Sequence, residues 1–299
     1  MSRLSVVMIV KNEEKCLDIC LKSVKGADEI VVVDTGSQDN TIEVAKTYTS
    51  KVYNDYRWKD NFSEARNHAL KKATGDWVLS IDADEELLSP IDELRQEIEK
   101  AEKDGHRTIN VNQVSGNSSN VFPRLFKRCP EVYWQGAIHN HLTLSGERNS
   151  NIKIRYGYSP AHSLDPDRSL RILKEQVDKG GKVRELYYLA REYWYRKEYI
   201  FAIHWFKEYI NKSTFLGEKA DAYLYLARCY WALTKGEEAR GCCLLALSIN
   251  ANFKEALYFM AELAGKNSGN ETWEKNAKQW EKMAEIATNE NVLFIRCQK

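Results

Sequence analysis

The sequence predicts an α/β domain built on a parallel sheet, followed by an all-α domain of helical repeats. Three observations carry this expectation. Between Ser5 and Glu86, apolar runs of strand length ending in polar or acidic residues alternate with helical patterns. All five prolines lie at or before Pro166, and helical periodicity dominates beyond it. A Tyr-Leu-Ala-Arg motif occurs at Tyr188–Arg191 and again at Tyr225–Arg228. The expected domains are residues 1–164 and 165–299.

Ser5 to Val10 is wholly apolar after its first residue and rich in β-branched side chains, as expected of a central strand buried on both faces. Lys11-Asn12-Glu13-Glu14 then opens a helix carrying Cys16, Leu17, Cys20, Leu21 and Val24 at helical spacing. Asp28 to Asp34 is a second buried strand, and Thr35 to Thr41 a turn and helix cap. A short third strand is expected at Lys51-Val52-Tyr53, a helix from Phe62 to Ala73 with Gly75 closing it, and a fourth strand from Trp77 to Ile81. Ile91 to Lys103 reads as an amphipathic helix capped near Ser89-Pro90, Thr108 to Val114 as a strand with one polar face, and Ser115 to Asn120 as a loop.

Asp165-Pro166-Asp167-Arg168 is a helix start, with acids and proline in the first turn. A third copy of the repeated motif centres on Ala261, 34 residues after Ala227, and Ala202 and Ala239 hold matching offsets in the following helices. Small alanines where helices touch, ringed by aromatics at a period near 34, form the tetratricopeptide pattern. The helix from Trp273 to Ala287 closes the stack. The aromatic stripe is read as core, with a ligand groove as the alternative.

A net charge of +1 gives no field that would draw nucleic acid or an anionic membrane. No apolar stretch is long enough to span a bilayer, and Val6 to Val10 is too short for a secretion signal's apolar core. Seven scattered cysteines without CxxC spacing fit reduced thiols, hence an expected cytoplasmic location. Cys16 and Cys20, one helical turn apart, read as packing residues.

Asp82 and Asp84 carry the chemistry. On extended backbone, residues two apart point to the same side. Two carboxylates so placed repel unless a cation or proton lies between them. Oxygen-rich sites suit Mg²⁺ or Mn²⁺, which commonly hold a nucleotide's phosphates too. The alternative is a strand running into an acidic, solvated helix start. No dinucleotide or P-loop fingerprint is present. In such sheets, ligands gather at the carboxyl ends of the strands, here the loops Lys11–Glu14, Asp34–Ser37 and Asp82–Glu86.

Four segments in order, Val7 to Glu14, Val31 to Thr41, Phe62 to Asn67 and Ile81 to Glu86, resemble the family 2 glycosyltransferases with the GT-A fold. The resemblance implies a nucleotide-diphospho-sugar transferase domain taking a UDP-sugar, with inversion at the anomeric carbon. It implies that Asn12, Glu14 and Asp34 hold uracil and ribose, that Arg66 reaches the base or diphosphate, and that Asp82 and Asp84 bind metal and diphosphate. For Arg66 the alternative is a surface salt bridge, and for Asp34 a helix cap.

The run Arg124-Leu125-Phe126 with Trp134-Gln135-Gly136-Ala137-Ile138-His139 is similar to the family's acceptor side, and Trp134 is an expected nucleotide-sugar contact. The family run ends in Glu, whereas this chain has Asn140, an amide that cannot act as a general base. His139 is the expected base, with His141, Glu85 or Asp165 as alternatives; His139 and His141 could also form a metal pair. Enzymes of this fold often bring a late histidine to the metal, which points to His162. Family members with helical repeat tails include enzymes that glycosylate peptides or proteins, so the expected acceptor is of that kind, with a homodimer through the repeats also open. A cell-surface polysaccharide or lipid-linked glycan is the alternative acceptor. A non-catalytic interaction protein with a degenerate sugar-nucleotide domain, or a nucleotidyltransferase, is the alternative class.

Overall fold

The computed structural model describes residues 1–116, 118–144, 146–265 and 271–287. They divide into two compact units between Arg168 and Ser169. The Arg168 guanidinium lies 5.3 Å over the Phe62 ring, within the first unit.

The first unit runs β1 (Leu4–Val10), α1 (Leu17–Ser23), β2 (Glu29–Asp34), α2 (Thr41–Lys46), β3 (Val52–Tyr53), α3 (Phe62–Leu70), β4 (Trp77–Ser80), β5 (Glu86–Leu87), α4 (Ile91–Asp104), β6 (Thr108–Ser115), β7 (Ser118–Lys127), β8 (Trp134–Gln135), β9 (His141–Leu142) and β10 (Arg148–Arg155). Strand order in the main sheet is β3-β2-β1-β4-β7-β6-β10-β5. The expected parallel sheet is its first half: β3, β2, β1 and β4 pair in parallel. β7 then joins β4 antiparallel, which makes the whole sheet mixed.

β1 shows why the sheet is a middle layer. Leu4, Val6, Met8 and Val10 pack on one face with Leu17 and Leu21 of α1 and Leu94 and Ile98 of α4. Val7 packs on the other face with Ala65 and Ala69 of α3 and with Phe126 and Trp134. Alternation buries every second residue on each side, so the run must be apolar throughout.

α1 begins at Leu17, later than the sequence pattern implies. Asn12 has φ +58°, a left-handed conformation, and the Glu13 carbonyl accepts from the N–H groups of Cys16 and Leu17. The Lys11–Glu14 segment is therefore a loop over the strand end. Of the expected loop at Ser115–Asn120, Ser115 ends β6 and residues 118–120 begin β7, pairing with residues 113–115; Asn117 lies outside the described residues.

The second unit is all-helical: α5 (Arg168–Asp178), whose first residue precedes the division, α6 (Val183–Tyr195), α7 (Tyr199–Lys212), α8 (Leu216–Ala232), α9 (Gly236–Ile249), α10 (Lys254–Gly265) and α11 (Glu271–Ile286). Ala190, Ala202, Ala227 and Ala239 are wholly buried, and Phe206 stacks on Tyr225 at 5.5 Å. Small side chains let the helix axes approach, and the aromatics fill the space between them. None of the described helices is long and apolar enough to cross a membrane.

At the amino ends of the strands, Glu29 is buried among Lys51, Ser5 and Thr74. Burial alone would raise its carboxyl, but these hydrogen bonds outweigh it and hold the group down to about 2. Because the folded value lies below the unfolded one, the stabilisation is complete above the unfolded value near 4.5 and is lost as pH falls toward 2. Glu29→Gln should cost roughly 2–3 kcal/mol near neutrality, a difference that shrinks by about half or more near pH ~3. Denaturation of both proteins at the two pH values checks this.

Candidate active site

The site is assembled at the carboxyl ends of β1, β2 and β4. Its rim is made by the loops after β1 and β2. The Asn12 N–H donates to Ser37 Oγ at 2.9 Å, and Asn12 Oδ1 accepts from the Gln38 N–H at 2.7 Å. Glu14 Oε2 accepts from the Asn40 N–H at 3.1 Å and from its Nδ2 at 3.0 Å. Asp34 is buried, and its carboxylate accepts from the N–H groups of Gly36 and Ser37. Asn12 and Glu14 thus tie the two loops together, and Asp34 closes the turn within the second.

Glu13, between two residues that the sequence singles out, was not expected here. Its Oε2 is buried without a hydrogen-bond partner. Burial pushes its carboxyl up to about 7, against a hydrogen bond with Ser159 and assisted by the charge of Asp84. The left-handed turn at Asn12 stands where the sequence pattern implies a helix start.

After β4 the chain does not stay extended. The Glu85 N–H donates to the Asp82 carbonyl at 3.0 Å, closing a turn, and the two aspartates have different partners. Asp82 Oδ1 lies 2.5 Å from Arg66 Nη2, and its Oδ2 lies 3.3 Å from Arg124 Nη2. Burial would raise Asp82, yet the two guanidinium groups hold it well below the usual carboxylate range. Asp84 has no arginine in its hydrogen-bonding shell. Its Oδ2 accepts from the Ser159 N–H at 3.1 Å and lies 4.0 Å from His162 Nε2. Burial, and then the charge of Asp82, push its carboxyl up. Glu85 is buried, its Oε2 accepting from the Asp82 N–H at 2.8 Å and its Oε1 from Gln113.

Arg66 rises from α3, which Asn61 caps by accepting from the Glu64 N–H at 3.0 Å. Its guanidinium lies 5.3 Å over the buried ring of Trp134, and its Nε and Nη1 are buried without a protein acceptor. The next residue, Asn67, fixes β8 by accepting from the Trp134 N–H at 2.8 Å and donating to its carbonyl at 2.9 Å. Trp134 therefore reaches the site as the support beneath Arg66, with its ring edge toward Phe126.

His139 is exposed in the β8–β9 connection with φ +48°, so the extended geometry that would set His139 and His141 on one face is absent. Among the described residues, no three or more His, Cys, Asp or Glu side chains form a metal cluster. The donor set that converges is Asp84 with His162. Such a pair suits Mg²⁺ or Mn²⁺, which take one or two protein ligands and complete their shell with water and phosphate oxygens. Arg66, with two unsatisfied buried donors, suits an anionic oxygen.

Residues 5–160 match the model of glycosyl transferase family 2, and the chain belongs to that family. It is 39% identical over 142 residues to a TPR repeat-containing protein of Synechococcus elongatus, covering 46% of this chain and 35% of that protein. It is 31% identical over 169 residues to the glycosyltransferase SunS of Bacillus subtilis, covering 52% and 40%. The chain thus spans 35–40% of the length of these two relatives. Among solved structures, TarS 1–349 of S. aureus is similar at TM-score 0.45 and 14% identity, covering 80% of this chain and 90% of that one. The same fragment has been solved with UDP and with UDP-GlcNAc.

The Asp84 turn leans on one glycine. A Cβ on Gly157 would stand 1.6 Å from the Asp84 carbonyl oxygen, so the turn must move if a side chain is added. Gly157→Ala should raise hydrogen exchange across residues 80–88 by an order of magnitude or more while leaving α6–α10 protected. Unchanged exchange there would contradict this packing.

Proposed function

We propose that this chain is a metal-dependent, inverting glycosyltransferase that moves a sugar from a UDP-sugar to a peptide or protein acceptor. The observation that carries the reading is the contrast within one turn. Asp82 is paired with two arginines, whereas Asp84 meets His162 and a backbone N–H, in a chain whose family transfers sugars.

Asp84 and His162 would hold Mn²⁺ or Mg²⁺. When bound, the ion supplies electrostatic stabilisation to the departing diphosphate. Arg66 would donate Nε and Nη1 to phosphate oxygens while Asp82 anchors its other end. The rim of Asn12, Glu14 and Asp34 would receive the nucleoside. His139 would take the proton from the acceptor, a role the Asn140 amide cannot fill. The helical unit reads as tetratricopeptide-like repeats that bind the acceptor, supported by the buried alanine series and by the repeat-bearing relative. A cytoplasmic site of action accords with the free thiols of the described cysteines.

UDP release from a panel of UDP-sugars, with Mn²⁺ or Mg²⁺ and with EDTA, tests this without knowledge of the acceptor. One sugar should be hydrolysed, EDTA should stop the reaction, and Asp84→Ala should lower it by about a hundredfold or more with circular dichroism unchanged. Full activity in Asp84→Ala or in EDTA would refute the assignment.

A further inference from the structure

Asp82 and Glu85 are joined by a buried polar cluster that extends into the antiparallel half of the sheet. Arg124 Nη2 lies 3.3 Å from Asp82 Oδ2 and 3.5 Å from Glu85 Oε1. Glu85 has both oxygens engaged: Oε2 by the Asp82 N–H, and Oε1 by Gln113 and Arg124. At 2% exposure it offers no free oxygen to a substrate. Gln113 lies on β6 and Arg124 on β7, the strands of one hairpin.

The hairpin is irregular at this point. Ile109 pairs with Leu125, and the next pair is Asn110 with Pro123, so Arg124 has no register partner. An extra residue in one strand bends it and re-aims a side chain, and such bulges recur beside active sites. Without the slip, the residue opposite Asn110 would be Arg124 itself.

We propose that Arg124, Glu85 and Gln113 are positioning residues that set the shape and charge of the Asp82–Asp84 turn, so that Asp84 alone is left to meet a cation. This rests on the functional reading above. It gives Glu85 a supporting role in place of a general base. Three carboxylates, Asp82, Asp84 and Glu85, share two guanidinium groups, Arg66 and Arg124. Among these five groups the surplus is a single negative charge, and Glu13 and His162, which also face Asp84, are the same in every variant below. Gln113 and the Asp82 N–H keep Glu85 turned inward, and Arg124 holds it to Asp82, so the surplus resides on Asp84.

A divalent cation should respond to this arrangement by sign. Arg124→Met adds one net negative charge to the cluster, and Glu85→Gln removes one. A residue that only stiffened the turn would weaken cation binding when replaced, whichever way the charge changed. The test is the apparent affinity of the 299-residue chain for Mn²⁺ in the presence of UDP, read from the paramagnetic resonance of free Mn²⁺. Glu85→Gln should weaken Mn²⁺ binding on the order of tenfold, Arg124→Met should strengthen it comparably, and the double variant should return near wild type. If Arg124→Met does not fold, the double variant against Glu85→Gln alone decides, because only the charge account predicts recovery. Weakening in every variant, or no change in Glu85→Gln, would overturn the proposal while leaving the transferase reading intact. Absence of Mn²⁺-dependent UDP binding in the wild type would overturn that reading and this proposal with it.

Discussion

The constraint on which the site depends is the crowding of three carboxylates into the turn that ends β4. Asp82, Asp84 and Glu85 lie within four residues, and like charges out of bulk water must be neutralised. The fold supplies two internal cations from opposite directions, Arg66 from α3 and Arg124 from β7. It supplies only a backbone N–H and a histidine to the third acid. Much of the local structure serves to aim these groups. Asn61 caps α3, Asn67 ties α3 to β8, Trp134 supports the Arg66 guanidinium, and a bulge turns Arg124 inward. Stability and chemistry are coupled here, because loss of Arg66 would leave Asp82 to Arg124 alone, and loss of Arg124 would leave the buried Glu85 without a guanidinium partner.

The central half of the sheet was legible in the sequence for a simple reason. β1, β2 and β4 are buried on both faces, so each carries an uninterrupted apolar run, residues 6–10, 30–33 and 77–79, and that pattern is hard to mistake. In the other half the alternation of β6 was legible, but most of the rest was not. In β10, Arg148–Arg155, only Ile152 and Ile154 are buried, and the rest is polar or charged. β5, β8 and β9 are two residues each, too short for any periodicity to register. Their existence follows from tertiary pairing, which a single sequence does not display.

The site divides along the same line. The acids of the Asp82–Asp84 turn, Arg66 and His162 were visible as residue types in a revealing order, and the structure gathers them. Their unequal treatment was not visible, because it depends on which acid an arginine from another element reaches. Glu13 was missed because its segment reads as a helix start, whereas the left-handed Asn12 makes it a loop over the strand end. Arg124 stood in a recognised run, yet its direction is set by a slip of register that no local pattern reveals. In the helical unit the repeated alanines were read correctly as contact points, since helices can approach closely only where side chains are small.

The most direct test of the account is an anomalous difference map from crystals of the chain grown with Mn²⁺ and UDP, recorded at the manganese edge. The account predicts one strong peak within about 2.3 Å of an Asp84 oxygen and the His162 ring, with diphosphate oxygens completing the shell and the Asp82 pairs to Arg66 and Arg124 intact. A peak ligated by Asp82, with those arginines displaced, would contradict the division of roles within the turn. No manganese at this turn, with UDP bound, would contradict the metal site altogether.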